Sequence, residues 1–366
     1  MGFESFLGNP SAVSTIREML ASDRIPGALL FSGPDGVGKK TLATMFAKAL
    51  ICGRRPSGGD DFCGECDRCR KAEMMLVAGR DDVARRREMK DAQRRAEGLV
   101  YFDVQVIEPL TRYILIEQIR KMRVTAYARP FEFPRRVFIL DQAQAIHWQA
   151  VDLLLKMLEE PPETTTIILV CPNAHELRPT IRSRCTRVQF TAVEEPVIVD
   201  LLGRQKQLTK DQKVLAARVA AGSVARAKTF NIEEFVRRRR PWVALLETLA
   251  GARASPKSSP NWKAMFDATG LLTEDREDFE ETLRIGYSLL RDLLIAIEGG
   301  ADRQVVNVDL LPRLKLWATP VGMAGIEKLK RGLDQAYRLQ TRNVNQQLGL
   351  DSIAIEVLTT QGREAF

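Results

Sequence analysis

The chain has 366 residues, 45% of them hydrophobic and 28% charged, with a formal net charge of +8. That length predicts two or three domains and that composition allows a sizeable core. No apolar run approaches the ~20 residues of a membrane span, and the start, MGFESFLGNPSAVS, lacks the basic-then-apolar pattern of a signal peptide. A cytoplasmic protein is expected. The excess positive charge is compatible with a polyanionic partner, and equally with surface solubility.

Residues 1–24 read as a short lead-in and one helix, with Ile16, Met19 and Leu20 on its apolar face. Ala28 to Phe31 then reads as a short buried strand. A turn carrying Gly33, Gly36 and Gly38 follows, then Lys39, and Thr41 onward reads as a helix with Leu42, Phe46, Ala49 and Leu50 inward. Strand, glycine turn, lysine and helix make a phosphate-binding loop. Backbone N–H groups there point at an anion, the helix N-terminus adds partial positive charge, and Lys39 reaches the outer phosphates. The position after Lys39 normally carries a hydroxyl that holds magnesium. Here it is Lys40, a cation with no lone pair to offer. Thr41 does not replace it, because one residue along a helix is a rotation of roughly 100°. Nucleotide binding and a loop kept for its shape both stay open.

Cys52, Cys63, Cys66 and Cys69 follow at spacing C-x10-C-x2-C-x2-C. Close Cys-x2-Cys pairs bring thiolates to one tetrahedral ion from a tight turn, and four soft ligands predict a structural zinc site. Cys171 and Cys185 lie far off and read as buried small hydrophobes. Ala78 to Gly98 is dense in charge. It reads as a solvated helix with i,i+4 ion pairs or as a flexible excursion, with nucleic-acid contact as a sharper alternative.

Val104 to Ile107 is a strand, Thr111 to Tyr127 a helix with Ile116, Ile119 and Met122 inward, and Val137 to Leu140 a buried strand ending at Asp141. A carboxylate closing such a strand is the position that steadies magnesium in phosphate-loop ATPases; a plain strand-end cap is the alternative. Gln142 stands where a water-activating Glu is common; an amide does not accept that proton but can still orient a water, which weakens hydrolysis without excluding it. Trp148 to Leu158 is an amphipathic helix stopped by Glu159-Glu160-Pro161-Pro162. Thr164 to Val170 is another buried strand, and a last one lies around Val188 to Phe190. Between them, Arg184 is either a finger that reaches a neighbour's phosphates or a surface salt-bridge arginine. Strands alternating with helices mean a parallel sheet covered on both faces.

Beyond Thr191 the strand signals stop. Residues 191–230 read as a small helical unit containing Gly222-Ser223, Phe235 to Pro241 as a hinge, and Ala254 to Pro260 as a linker. Glu280 to Glu298 reads as a helix, and Met323 to Leu350 contains another that ends near Gly349. His147 and His175 have no Ser or Cys beside them in sequence, which gives nucleophilic hydrolysis no support.

Taken together, these stretches resemble the bacterial clamp-loader subunits of DNA polymerase III, a branch of the AAA+ ATPases. The resemblance is carried by LLFSGPDGVGKKTLA from Leu29, the four-cysteine insertion, VQVIEP from Val104, IEQIRK from Ile116, LLLKMLEEPP from Leu153, PTIRSRC from Pro179 and NVNQQLGLDSIA from Asn343. It implies an α/β AAA+ domain with the zinc module over residues 1–190, a small helical lid over 191–234 and an all-helical collar over 235–366. Within the family the chain is most similar to the delta-prime branch. Lys40, Gln142 and Cys171-Pro172 stand where the motor subunits carry a hydroxyl, an acid and a polar sensor. The resemblance implies a stator in a five-subunit ring with delta and gamma/tau subunits, acting with the sliding clamp and primed DNA, with doubtful ATP/Mg2+ binding of its own. Arg184 becomes the arginine finger. A gamma/tau-type active ATPase is the alternative. Tyr101-Phe102-Asp103 replaces the family's His-Pro-Asp, so a different backbone path is expected there.

Overall fold

The computed structural model describes residues 2–56, 58–91, 94–203, 208–254, 260–274, 279–339 and 346–359. Most of the expected linker before Pro260 and the start of the NVNQQLG stretch lie outside them. The chain divides into two compact units, Met1–Ile198 with Ala221–Arg226, and Val199–Ala220 with Ala227–Phe366. Residues 191–234 are thus shared between the two units.

The first unit is a parallel five-stranded sheet built from β1 (Ala28–Ser32), β2 (Val104–Ile107), β3 (Arg136–Leu140), β4 (Thr165–Cys171) and β5 (Thr186–Gln189), in the order β2-β3-β4-β1-β5. Strands β1 to β4 are buried along their whole length, as unbroken apolar runs require when helices cover both faces. Edge strand β5 buries only Val188. Helices α1 (Pro10–Ala21), α2 (Lys39–Ile51), α3 (Asp67–Glu88), α4 (Ile116–Tyr127), α5 (Val151–Glu159) and the short α6 (Pro179–Arg182) surround it. Ile119 and Met122 of α4 and Leu154 and Met157 of α5 pack with Leu30, Phe138, Leu140, Ile167 and Leu169 in one core.

Part of the charged stretch is helix: α3 runs to Glu88, and a short 3-10 turn covers Arg94–Ala96. The first half of the stretch ends α3, where Arg86 is buried and donates to Asp82 Oδ2 at 2.6 Å and to the carbonyls of Arg95, Glu97 and Gly98. Asp103, the residue the tripeptide shares with the family's His-Pro-Asp, is a buried structural group. Buried to 3% exposure, its Oδ2 accepts the N–H groups of Phe131, Glu132 and Phe133, and its Oδ1 pairs with Arg136 at 2.8 and 3.0 Å. Burial works against the charge, but those N–H groups and Arg136 hold the Asp103 carboxyl below its ordinary value.

Helix α7 (Glu195–Gly203) follows, then α8 (Lys210–Ala220) and α9 (Val224–Thr229). The second unit is helical among the described residues, with α10 (Ile232–Ala254), α11 (Trp262–Leu272), α12 (Phe279–Ile297), α13 (Leu311–Leu339, kinked at Gly322) and α14 (Gln346–Thr359). The expected hinge at Phe235–Pro241 is continuous helix inside α10. Trp242, Leu245, Leu246 and Leu249 bury one face of it, and Arg239, itself buried, reaches Asn307 and Asp309. Gly349 does not end a helix either. It lies within α14, which continues because Leu350, Ala354 and Val357 face the core.

Candidate functional site

The loop after β1 folds as its glycines require. Gly36 has φ +76° and Gly38 φ +100°, where a side chain is strained. A Cβ on Gly36 would fall 2.0 Å from Ser223 Oγ, and one on Gly38 2.8 Å from the Phe6 ring. Ala225 N–H donates to the Gly36 carbonyl at 3.0 Å, so the Gly222-Ser223 segment packs directly on the loop. Gly33 N–H donates to the Pro172 carbonyl at 3.1 Å, beyond buried Cys171. The Lys39 side chain is buried. Its Nζ donates to the carbonyls of Gly33 at 2.5 Å and Pro34 at 2.7 Å and lies 3.3 Å from Asp35 Oδ1.

Lys40 projects to the strand ends. Its Nζ contacts Glu108 Oε1 and lies 3.2 Å from Asp141 Oδ2. The Lys40 side chain is 36% exposed, Glu108 15% and Asp141 19%. The two carboxylates come together through register. Ile107 of β2 pairs with Leu140 of β3, so the next residue of each strand, Glu108 and Asp141, leaves the sheet side by side. Buried Gln118 fixes the first of them, donating to the Glu108 carbonyl at 2.9 Å while accepting from Leu115 N–H at 2.9 Å. From the end of α3, Arg87 pairs with Glu108 Oε2 at 3.0 Å and donates from Nε to the Pro109 carbonyl at 3.0 Å. The structure therefore brings Lys40 and Asp141 together and adds Glu108 and Arg87, which sequence reading missed. Thr41 is exposed and stands apart from this cluster; Gln142 is exposed with a left-handed backbone, φ 56°.

This donor set does not fit a magnesium ion. Magnesium demands six oxygens in near-ideal geometry and sheds water reluctantly. Lys40 supplies no oxygen and covers the carboxylate that the ion needs.

The four clustered cysteines do fit a metal. Their sulfurs all lie within 4.8 Å of one another. Cys52 Sγ is 3.6 Å from Cys63 Sγ and 3.9 Å from Cys66 Sγ. Zn–S bonds of about 2.3 Å set a tetrahedral edge of about 3.8 Å. N–H groups point at the sulfurs as well, from Cys63 to Cys52 at 3.5 Å and from Cys66 to Cys63 at 3.3 Å. Burial opposes ionisation of Cys66, yet the N–H groups of Cys69 and Gly53 bring it down to about 6. The first residues brace this module. Phe3 N–H donates to both oxygens of Asp61, and its ring meets Phe62 edge-on at 5.6 Å. Cys171 and Cys185 lie elsewhere, in the sheet core, where burial pushes their thiols up to about 11 and 12.

Arg184 follows α6 on a short turn. Its Nε donates to Glu159 Oε1 at 2.9 Å, and Nη1 donates to the Thr180 carbonyl at 2.9 Å. Arg182 beside it meets His175 Nδ1 at 2.9 Å.

A model of the family described as DNA polymerase III, delta subunit, matches residues 8–194, 187 of 366 and so just over half of the chain. The chain is 29% identical over 202 residues to the DNA polymerase III subunit tau of Bacillus subtilis strain 168, covering 55% of this chain and 31% of that one. It is 25% identical over 317 residues to the DNA polymerase III subunit gamma/tau of Mycobacterium tuberculosis H37Rv, covering 86% and 48%. The chain thus spans 31% to 48% of the length of these curated relatives. A solved DNA polymerase III gamma subunit-related protein from Thermotoga maritima aligns over 95% of this chain and 98% of its own at 16% identity, with a TM-score of 0.42. No helix among the described residues is long and apolar enough to cross a membrane. On the strength of the family match across its α/β unit, the chain belongs to the DNA polymerase III, delta-subunit family of clamp-loader proteins.

Proposed function

We propose that this clamp-loader protein is a subunit that does not turn over ATP, and that it presents Arg184 to nucleotide bound by an adjacent subunit. One observation carries the reading. The position whose side chain would hold the metal is occupied by Lys40, which pairs with the very carboxylate, Asp141, that would steady that metal. Without the ion, charge on a transferring phosphoryl group goes unneutralised. Gln142 in place of an acid removes the base as well.

On this reading the chain is a delta-prime-type stator in a five-subunit ring with delta and gamma/tau subunits. The ring loads a sliding clamp onto primed DNA in the cytoplasm. The α/β domain ends near residue 190, a small lid follows to 234, and the helices beyond form the collar. The cysteine module holds a structural zinc ion, since four thiolates leave no open coordination position. Arg184 is supported by its place on an exposed turn after α6, with Glu159 as its resting partner.

The test is reconstitution of the loader with Arg184→Ala. Hydrolysis at the adjoining site should fall on the order of 10³-fold, as expected for loss of an arginine finger. Unchanged hydrolysis removes the finger role. A second reading, an active gamma/tau-type subunit, is favoured by the names of the curated relatives. It predicts magnesium-dependent turnover by the isolated chain that Lys39→Ala abolishes.

A further inference from the structure

The phosphate-loop reading leaves two facts unused: a second carboxylate at the metal position, and an arginine delivered there by the charged insertion, residues 78–98. We infer that Lys40 and Arg87 together replace the divalent cation, so that the site carries its own metal-free charge balance. The inference rests on the phosphate-loop reading and concerns what occupies that site.

The charges match. Glu108 and Asp141 contribute two negative charges, and Lys40 and Arg87 two positive ones, which is what one magnesium ion would supply. The placement matches too. Lys40 Nζ bridges the two carboxylates, contacting Glu108 and standing 3.2 Å from Asp141 Oδ2. Arg87 takes the other oxygen of Glu108 at 3.0 Å. No carboxylate is left facing the loop without a cation. Both cations are tethered, so their effective concentration exceeds that of free ion at millimolar levels. An incoming magnesium ion would have to displace them and shed its own water.

The insertion then has a job in this chain. Arg86 anchors the end of α3 by its four bonds to Asp82 and to the carbonyls of residues 95, 97 and 98. That fixes the neighbouring Arg87 against Glu108 and Pro109. The end of α3 is therefore part of the closed site, and Arg86 and Arg87 are accounted for by protein contacts.

The test is thermal unfolding of the full zinc-loaded chain with and without about 10 mM MgCl2, at matched ionic strength. The wild type should show no magnesium-specific shift. Lys40→Ser/Arg87→Ala exposes both carboxylates and restores a hydroxyl, and should gain ~3 °C or more in magnesium. Adding Asp141→Asn should abolish that gain. Lys40→Ser alone should show a smaller gain, which keeps the test decisive if the double variant does not fold. Lys40→Arg should stay insensitive. A wild-type shift that Asp141→Asn removes, or no shift in either serine variant, overturns the inference. A wild-type shift would also remove the metal argument against turnover, while the Arg184 role, read by hydrolysis in a neighbour, stands or falls by its own test.

Discussion

The α/β unit contains two places where an ion could sit, and their side chains differ in kind. At the cysteine module every donor is present, with sulfurs 3.6 and 3.9 Å apart around one centre. At the phosphate loop the scaffold is intact, with glycines at φ +76° and +100°, a buried lysine and a strand-end carboxylate. One donor position, however, holds the cation Lys40, which pairs with that carboxylate. The backbone decides where an ion could sit, and a single side chain decides whether it does. Lys40 is one residue in the loop, and it changes the chemistry of Asp141 on a different strand.

The comparison can be broken or sharpened by a graded set of variants. The largest effect should come at the module. Structural zinc contributes on the order of 10 kcal/mol of folding free energy in small zinc peptides. Cys66→Ser should therefore lose stoichiometric zinc, measured by native mass spectrometry, and open residues 52–69 to protease. Full protease resistance without metal would put the two sites on the same footing. Acid should act in the same direction, because protons compete for the thiolates.

Next comes a charged site that is structural and nothing more. Asp103→Ala leaves Arg136 buried without its partner, which should cost about 3–5 kcal/mol by denaturant unfolding. The sign with pH follows from the depressed carboxyl. Its contribution is complete above the ordinary value of 3.8 and is lost as pH falls through the lower folded value. Smaller again, Lys40→Met should cost no more than about 1 kcal/mol, because that ion pair is part-exposed and screened. A cost like that of Asp103 would make Lys40 a fold residue and dissolve the contrast. Arg184→Ala should be the mildest for stability, within about 0.5 kcal/mol, since its partner Glu159 is exposed. Its effect should appear only in the assembled loader.

How much of this was legible beforehand follows from the range of each interaction. The strands were readable because ALLF and VFIL are unbroken apolar runs and VQVI is interrupted only by Gln105, all of them buried. The cysteine cluster was readable because its ligands lie within eighteen residues. Glu108 was not, because its role depends on the register between β2 and β3, which spacing along one strand does not encode. The arginine run misled for the same reason. Arg239 has its partner Asp309 seventy residues away, so local charge looked like a break where the fold has a continuous helix. Arg87 was hidden within a run whose composition reads as plain surface, and only its docking on Glu108 separates it from Arg85.

The central claim, that Lys40 has displaced the metal from the loop, is tested most directly by steady-state phosphate release from the purified wild-type chain supplied with ATP and magnesium. The account predicts release no faster than the buffer background, with Lys39→Ala indistinguishable from wild type. Sustained magnesium-dependent release that Lys39→Ala abolishes would contradict it.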